Sequence, residues 1–491
     1  MYKLSESRRD FLKKITTLGV MGTTAYLRSS ASMAAPSGTL ATRLQGKVVS
    51  RDDTAYETWR QAMVWQKAKA NRYPDLIVQA RSEADIIEAV NYAREHTLKI
   101  AIRSSGHNAA GTSLRNGGML LDISHLRDFK IDAEKKLAHV QPALWCEQLV
   151  YEAGKYGLSF PAAHCPSVAL GGYVLGGSVG WNHAAWGGAA THSIRAMDVI
   201  TADGEKVRAS ATENPDLYWA GRGAGPGFFG VVTKLELELY PAPKNIISSM
   251  YIHPLNGLAT VTETLENLLK LKDERVEILL LFMHNPQAPK DLPEEEAKIC
   301  FVGVNAFAES EQQAKQMLRP FAESELSSKS VFKVEYQPSN FSKLYHPENV
   351  DSGYGRYGVD TEWTNDLSAS LHAVADHFKK TPSIRTHIVA APAMNTQLHD
   401  DACFSRIGDH FIGTYLLWDD EKDDDSNYAW LDETNRILAP FSEGHYVNET
   451  AGDRFPQRYQ DCYSPKNWQG LEQVRKKYDP QKVFHSFLGN D

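Results

Sequence analysis

The sequence predicts an α+β protein built in two main parts, and three observations carry that prediction. A strand, a capped helix and a second strand occupy residues 76–103, followed by a loop. Glycine then clusters twice, from Gly171 to Gly180 and from Gly221 to Gly230. Past Pro241 and Pro243 the clusters stop, and longer apolar strands alternate with helices up to about residue 440. The expected divisions are a leader over 1–35, a first domain over 36–244, a second over 245–440, and a segment over 441–491 that returns to the first.

Arg8 and Arg9 stand ahead of Phe11, Leu12 and Lys13, an arrangement that resembles a twin-arginine export signal. The apolar stretch from Ile15 to about Leu27 is broken by Gly and Thr and is too short to span a bilayer; small residues from Ala31 to Ala35 offer a cleavage site. The expectation is a periplasmic or secreted protein, carried folded by the twin-arginine translocase and without a membrane span in its mature form.

Residues 76–80 read as a strand. Ser82 and Asp85 form a capping box, and Ile86, Ile87, Ala89, Val90 and Ala93 recur at helical spacing. Residues 99–103 give the second strand and 104–111 the loop. Strands are expected at 119–123, 137–141, 198–202 and 206–209, the last two joined by the turn Asp203-Gly204, with a helix at 144–156. Leu235, Leu237 and Leu239 alternate with Glu236 and Glu238, which marks 231–240 as a half-buried strand. Beyond the boundary come strands at 278–283, 297–306 and 411–418, helices at 257–271, 309–323 and 365–377, and a last helix at 468–477.

Composition narrows the class. With 491 residues, 42% hydrophobic and 23% charged, the chain has apolar mass for sizeable cores. A net charge of −8 with no basic stripe excludes a nucleic-acid surface. The acidic run from Asp419 to Asp425 fits no EF-hand spacing and reads as a solvated loop. Five cysteines, Cys146, Cys165, Cys300, Cys403 and Cys462, contain no C-x-x-C pair and suit neither a zinc site nor a disulfide framework. No metal is expected. The 10 Trp, 21 Tyr and 18 Phe suit both large cores and a pocket that grips a ring-shaped ligand.

Four ordered segments resemble one family. Arg103 through His107 has the form R-x-x-G-H behind a strand. Cys165 through Gly172 is followed by Gly176, Gly177 and Gly180. Asp216 through Ala220 precedes Gly230, Val231, Val232 and Thr233. Tyr478 through Phe484 ends the chain with an Asp-Pro step. Together they resemble the berberine bridge enzyme-like branch of the vanillyl-alcohol oxidase superfamily, from about residue 72 to the end. The resemblance implies a two-part PCMH-type FAD-binding domain and an antiparallel-sheet substrate domain covered by helices.

The residues agree with that chemistry. A pyrophosphate needs converging backbone N–H groups with no side chains in the way, and Ser104, Ser105, Gly106, Asn108 and Gly111 form such a nest; alone, a glycine loop reads equally as a tight turn. Gly225 to Gly230 matches G-x-G-x-x-G in form only, because a strand follows it and the fingerprint must open a helix. His107 and Cys165 would by themselves be a polar loop residue and a small buried hydrophobe. The resemblance implies an imidazole bond to the flavin 8α methyl and a thioether to flavin C6, hence FAD held covalently through both; His164, adjacent in sequence to Cys165, is expected to lower the thiol pKa. It also implies flavin contacts for Arg103, Val168, Gly171, Gly172, Gly176, Gly177, Gly230, Val231, Val232 and Asn467. Val168 fits either an oxygen gate or ordinary packing.

The family's base comes from the segment His445 to Thr450, which often reads Tyr-x-Asn-Tyr; here Glu449 replaces the second tyrosine, and Trp468 replaces a commoner tyrosine after Asn467. Tyr446 and Glu449 are the candidate bases, and each also has a purely structural reading. The stretch 351–358, rich in Gly and Tyr, reads as a pocket-lining or an exposed loop. The implied function is an oxidase that takes a hydride from a carbohydrate, alcohol or secondary metabolite onto flavin N5 and passes the electrons to O2. A dehydrogenase serving a quinone or protein acceptor, and a flavin-carrying binding protein without turnover, are the alternatives.

Overall fold

The computed structural model describes residues 40–489 apart from 272, 290, 294–295, 348–352, 395–397 and 406–407. The twin-arginine stretch lies outside the described residues, as does part of 351–358. The first sheet has the order β1-β2-β4-β3, with β1 Lys47–Ser50, β2 Leu76–Gln79, β3 Ile100–Arg103 and β4 Met119–Asp122. The expected strand–helix–strand unit is present, but its two strands are not neighbours: β4 runs parallel to both and lies between them. Its helix, α1 (Glu83–Glu95), is capped by Ser82 Oγ, which accepts from the Asp85 N–H at 3.2 Å. The return half of the capping box is not made. The Asp85 carboxylate accepts instead from the N–H groups of Gln45, Gly46 and Arg81, and so holds the incoming chain against the helix.

A second, antiparallel sheet has the order β5-β6-β10-β8-β9: β5 Phe129–Asp132, β6 Leu137–Val140, β8 Ile194–Ile200, β9 Lys206–Ser210 and β10 Val231–Glu238. β8 and β9 form the expected hairpin. In β10, Leu235 and Leu237 are buried while Lys234 is exposed. A small ladder joins β7 Leu158–Ser159 to β11 Tyr240–Pro241.

From residue 245 the chain builds one seven-stranded antiparallel sheet, ordered β15-β12-β14-β13-β17-β18-β16. Its strands are β12 Asn245–Pro254, β13 Val276–His284, β14 Lys298–Ala308, β15 Phe332–Ser339, β16 Arg356–Thr364, β17 His387–Ala391 and β18 His410–Trp418. Strand alternation gives the sheet two different faces. Val276, Ile278, Leu280, Phe282, Ile388, Ala390, Ile412 and Leu416 pack under helices α2 (Leu258–Leu269), α3 (Glu311–Ala322), α4 (Leu367–Phe378) and α5 (Asp424–Leu438) in one buried cluster. The intervening residues, among them Leu279, Leu281, Met283, Val389, Ala391, Tyr357 and Tyr415, are only half-buried. Two expectations are corrected here. Residues 356–358 belong to β16 rather than to a loop. The acidic run is not simply solvated, because Asp424 opens α5 and its carboxylate receives Trp418 Nε1 at 2.7 Å and the Arg356 guanidinium.

The last part of the chain binds both regions. Residues 444–451 lie along β16: Trp363 N–H donates to Gly444 O, His445 Nδ1 to Thr361 O at 2.7 Å, and Tyr446 N–H to Thr361 Oγ1 at 3.1 Å. Thr450 and the Ala451 N–H donate to the buried Asp360 carboxylate, which also pairs with Arg458. Farther on, helix α6 (Pro465–Tyr478) leads to a turn in which Asp479 accepts from Val483 and Phe484 N–H groups. Phe484 then bridges to Ile100 of the first sheet.

Glu362 tests how far burial controls this support. It accepts from Ser442, lies 3.2 Å from His445 Nδ1 and is 3% exposed. Burial pushes its carboxyl from the ordinary 4.5 up to about 8, against the Ser442 hydrogen bond. A group that holds its proton more tightly folded than unfolded loses stability for the fold as the pH rises from 4.5 toward 8. Glu362→Gln keeps an acceptor for Ser442 and removes that loss. It should raise stability over wild type by about 1–3 kcal/mol at pH 8 and by little at pH 5. Thermal unfolding at both pH values measures this, and equal shifts would refute the burial account.

Candidate active site

The site starts from the loop behind β3. Arg103 braces it: Nη1 pairs with Asp122 at 3.1 Å, Nη2 donates to Ser105 O at 2.9 Å and Nε to Met63 O at 3.2 Å. Its guanidinium is thus committed to the loop's shape. Gly106 has φ +74°, and a Cβ there would stand 2.2 Å from Met63 O, so the close turn admits only glycine. Gly111, at φ +60°, donates to Asn108 O and ends the loop. Among the described residues none accepts a hydrogen bond from the backbone N–H groups of residues 104–110. Seven successive residues with unclaimed donors on a braced loop make an anion nest, and they fit the pyrophosphate of FAD.

His107 and Cys165 meet across one hydroxyl. His107 Nε2 is 2.9 Å from Ser167 Oγ, and Cys165 Sγ is 3.9 Å from the same oxygen. Trp65 stacks on the imidazole at 5.8 Å between centroids and donates its indole N–H to His107 O at 2.8 Å. Burial, with Arg103 adding to it, lowers the His107 pKa to about 4, so the ring is neutral and nucleophilic at physiological pH. The thiol pKa is raised, chiefly by burial. The expected help from His164 is absent: His164 Nε2 pairs with Glu277 Oε1 at 2.7 Å instead.

The glycines divide by role. Ser105 Oγ accepts from Ala169 N–H and ties the two loops together. Val168 is half-buried, and its carbonyl accepts from the Cys146 N–H at 2.9 Å. Gly171 donates to Pro142 O, and a Cβ there would meet the Pro142 ring. Gly172 faces open space, with Ser104 Oγ at 4.0 Å its nearest neighbour, which leaves room for a ligand between the loops. Gly176 and Gly177 instead admit the side chains of Asn448 and Phe404, which would lie 2.2 and 2.3 Å from added Cβ atoms. Gly230 is packed against Val199, and Val231 and Val232 are buried in β10 opposite Ile200 and Val199. Asn467 donates to the carbonyls of Ala402 and Cys403 and holds that segment in place.

Tyr446 and Glu449 come to the same place. The Tyr446 hydroxyl is bonded to Ser178 Oγ and receives the Asn448 carboxamide at 3.1 Å. The same carboxamide donates to Gly172 O at 3.0 Å, and the Asn448 backbone carbonyl accepts from the Asn108 side chain at 2.9 Å. Glu449 Oε2 accepts from Tyr415 at 2.9 Å. It lies close enough to Cys165 and Tyr357 to raise the pKa of each. Burial raises the Glu449 carboxyl, opposed by Tyr415 and His164, and drives the Tyr446 phenol far up. Sequence reading missed Trp65, Tyr415 and the joining roles of Ser167 and Asn448, whereas Tyr357 lies in the stretch 351–358, read from the sequence as a pocket-lining or an exposed loop. Ser167 and Asn448 stand inside segments that were singled out; Trp65 and Tyr415 carry no local signal.

Residues 74–210 match the FAD binding domain family. The FAD-linked oxidoreductase nodO of Hypoxylon pulicicidum is 26% identical over 446 residues, which cover 89% of this chain and 95% of that protein. The (R)-6-hydroxynicotine oxidase of Paenarthrobacter nicotinovorans is 34% identical over 222 residues, 44% of this chain and 47% of that one. Among solved structures, Physcomitrella patens BBE-like 1 superposes with a TM-score of 0.78 at 18% identity, covering 92% of this chain and 98% of its own. With the nest, this domain and these relatives, the chain is an FAD-dependent oxidoreductase with a PCMH-type FAD-binding fold shared with berberine bridge enzyme-like proteins.

Proposed function

We propose that the protein is an exported oxidase holding FAD through two covalent bonds, from His107 and Cys165, and oxidising a small molecule at a C–H bond next to a hydroxyl or amine. The observation that carries this reading is the convergence of imidazole and thiol on Ser167 Oγ beside the open N–H nest. Bound FAD supplies the hydride acceptor and, once reduced, the electrons for O2, which leaves as H2O2. The chain's own residues hold the substrate and move its proton. Tyr446, with its phenol pKa driven up by burial, stays protonated and orients through Ser178 and Asn448. Glu449 is the proposed base, a carboxyl raised by burial and held by Tyr415 beside the Cys165 tether. Val168, half-buried three residues past Cys165, is the proposed oxygen gate.

Intact mass after denaturation tests the tethers. Wild type and the single variants His107→Ala and Cys165→Ala should each retain one FAD, and the double variant should lose it; flavin released from denatured wild type would overturn the two-bond reading. Val168→Ile should slow reoxidation by O2 in stopped flow while anaerobic reduction keeps its wild-type rate. Oxygen-independent reoxidation in wild type would mark a dehydrogenase instead. The export proposal rests on Arg8 and Arg9. Replacing both by Lys should leave the flavoprotein in the cytoplasmic fraction, and unchanged periplasmic yield would reject it.

A further inference from the structure

We propose that the substrate is an amine on an apolar skeleton, bound as its cation with the charged nitrogen against Glu449 and the carbon skeleton along the open face of the seven-stranded sheet. This rests on the oxidoreductase site above and names the substrate class it takes.

The charge comes first. Glu449 has one oxygen held by Tyr415, and its other oxygen takes no donor from the described residues. The single positive partner that perturbs it is His164, whose Nε2 is already paired with Glu277. Glu277, the other carboxylate on this face, is satisfied by His164 and by the Asn182 N–H at 3.0 Å. A half-buried carboxylate without a cation of its own holds its proton more tightly, as this one does, or is stabilised by a ligand that brings a positive charge.

The surroundings suit a cation more than a neutral hydroxyl. Tyr357 and Tyr415 stand 6.3 Å apart by centroid, Trp65 meets Tyr357 edge-on at 5.0 Å, and His387 stacks on Tyr415 at 5.4 Å. Tyr415, which donates to Glu449, and Tyr357, whose phenol that carboxylate perturbs, put two rings beside the negative charge, and aromatic faces and a carboxylate both attract an ammonium group. The rest of the wall is apolar. Leu279 and Leu281 on β13 and Val389 and Ala391 on β17 occupy the half-buried face, with Leu281 opposite Val389. Ala391 continues into a cluster with Val179 and Tyr446, which carries the wall to the flavin loops. A sugar would leave several hydroxyls unpaired along such a wall, whereas a hydrocarbon or aryl skeleton would be dehydrated by it.

Calorimetry on the flavin-loaded protein tests this with three probes: benzyltrimethylammonium, benzyl alcohol and glucose. Flavin content is read first from absorbance, so that absence of flavin counts against the oxidoreductase site and not against the choice of substrate class. The cation should bind at least about tenfold more tightly than benzyl alcohol, as expected for one well-placed buried charge contact, and glucose should give no heat. Glu449→Gln should remove that preference with melting temperature and flavin content unchanged, and Glu449→Asp should keep part of it. Tyr357→Leu, a second variant that leaves the carboxylate in place, should weaken the cation several-fold and benzyl alcohol little. Equal affinity of flavin-loaded wild type for cation and alcohol, tighter binding of glucose, or unchanged cation affinity in Glu449→Gln would each overturn the proposal.

Discussion

One residue, Asn448, joins the parts of the site that the chain supplies from its two ends, through its backbone carbonyl and its carboxamide together. Its backbone carbonyl accepts from the Asn108 carboxamide, 340 positions away, and its own carboxamide donates to the Gly172 carbonyl, 276 positions away, and to the Tyr446 hydroxyl. Those three groups belong to the His107 loop, the glycine segment and the base segment. The carboxamide fits because residue 176 has no side chain; an added Cβ would stand 2.2 Å from Asn448 Nδ2. Such a contact cannot be relieved by a small shift in a closely packed interior. The glycine at 176 therefore serves closure, while the glycine at 172 leaves open space between the loops.

The nest depends on the same kind of bracing. Unclaimed N–H groups are costly unless the loop that carries them is held by other contacts, since the backbone would otherwise find acceptors of its own. Arg103 supplies two of those contacts through carbonyls and anchors itself on Asp122, and Trp65 supplies a third through the His107 carbonyl. All three leave the donors free. An arginine in such a loop invites a reading as a phosphate ligand, yet here Nε, Nη1 and Nη2 are turned toward carbonyls and a carboxylate. What binds the anion is the backbone that the arginine shapes.

Where local pattern decided the outcome, the sequence was readable. The Ser82 cap and the 86–93 spacing locate α1. The alternation around Leu235 locates β10, and the His107 and Cys165 segments lie together as their resemblance implied. The strands at 245–254, 332–339, 356–364 and 387–391 escaped notice. In β16, Gly355, Gly358 and the tyrosines around them mimic a loop, and the pairing with β18 that makes it a strand is set by residues 410–418. Tyr357 and Tyr415 reach one pocket only because β16 and β18 are neighbours, which no spacing along the chain encodes. The pairing of His164 with Glu277 was hidden for the same reason: a residue 113 positions away competes for the imidazole and wins over the adjacent thiol.

The seven-stranded sheet divides its duties between its two faces. Along β13, Ile278, Leu280 and Phe282 pack into the helix-covered core, while Leu279, Leu281 and Met283 stand on the opposite face. Truncating a residue of the first set opens a cavity in a dense interior at a cost of about 2–5 kcal/mol. Changing one of the second set alters a wall that is half-open already and so disturbs far less packing. Period-two alternation thereby separates stability from recognition within a single strand. The carboxylate at 449 is placed by a different segment, one that hangs from β16 through Asp360 and Thr361. The half-buried apolar face and the Glu449 carboxylate can then vary independently, while the His107 loop, held through Asn448, keeps its geometry.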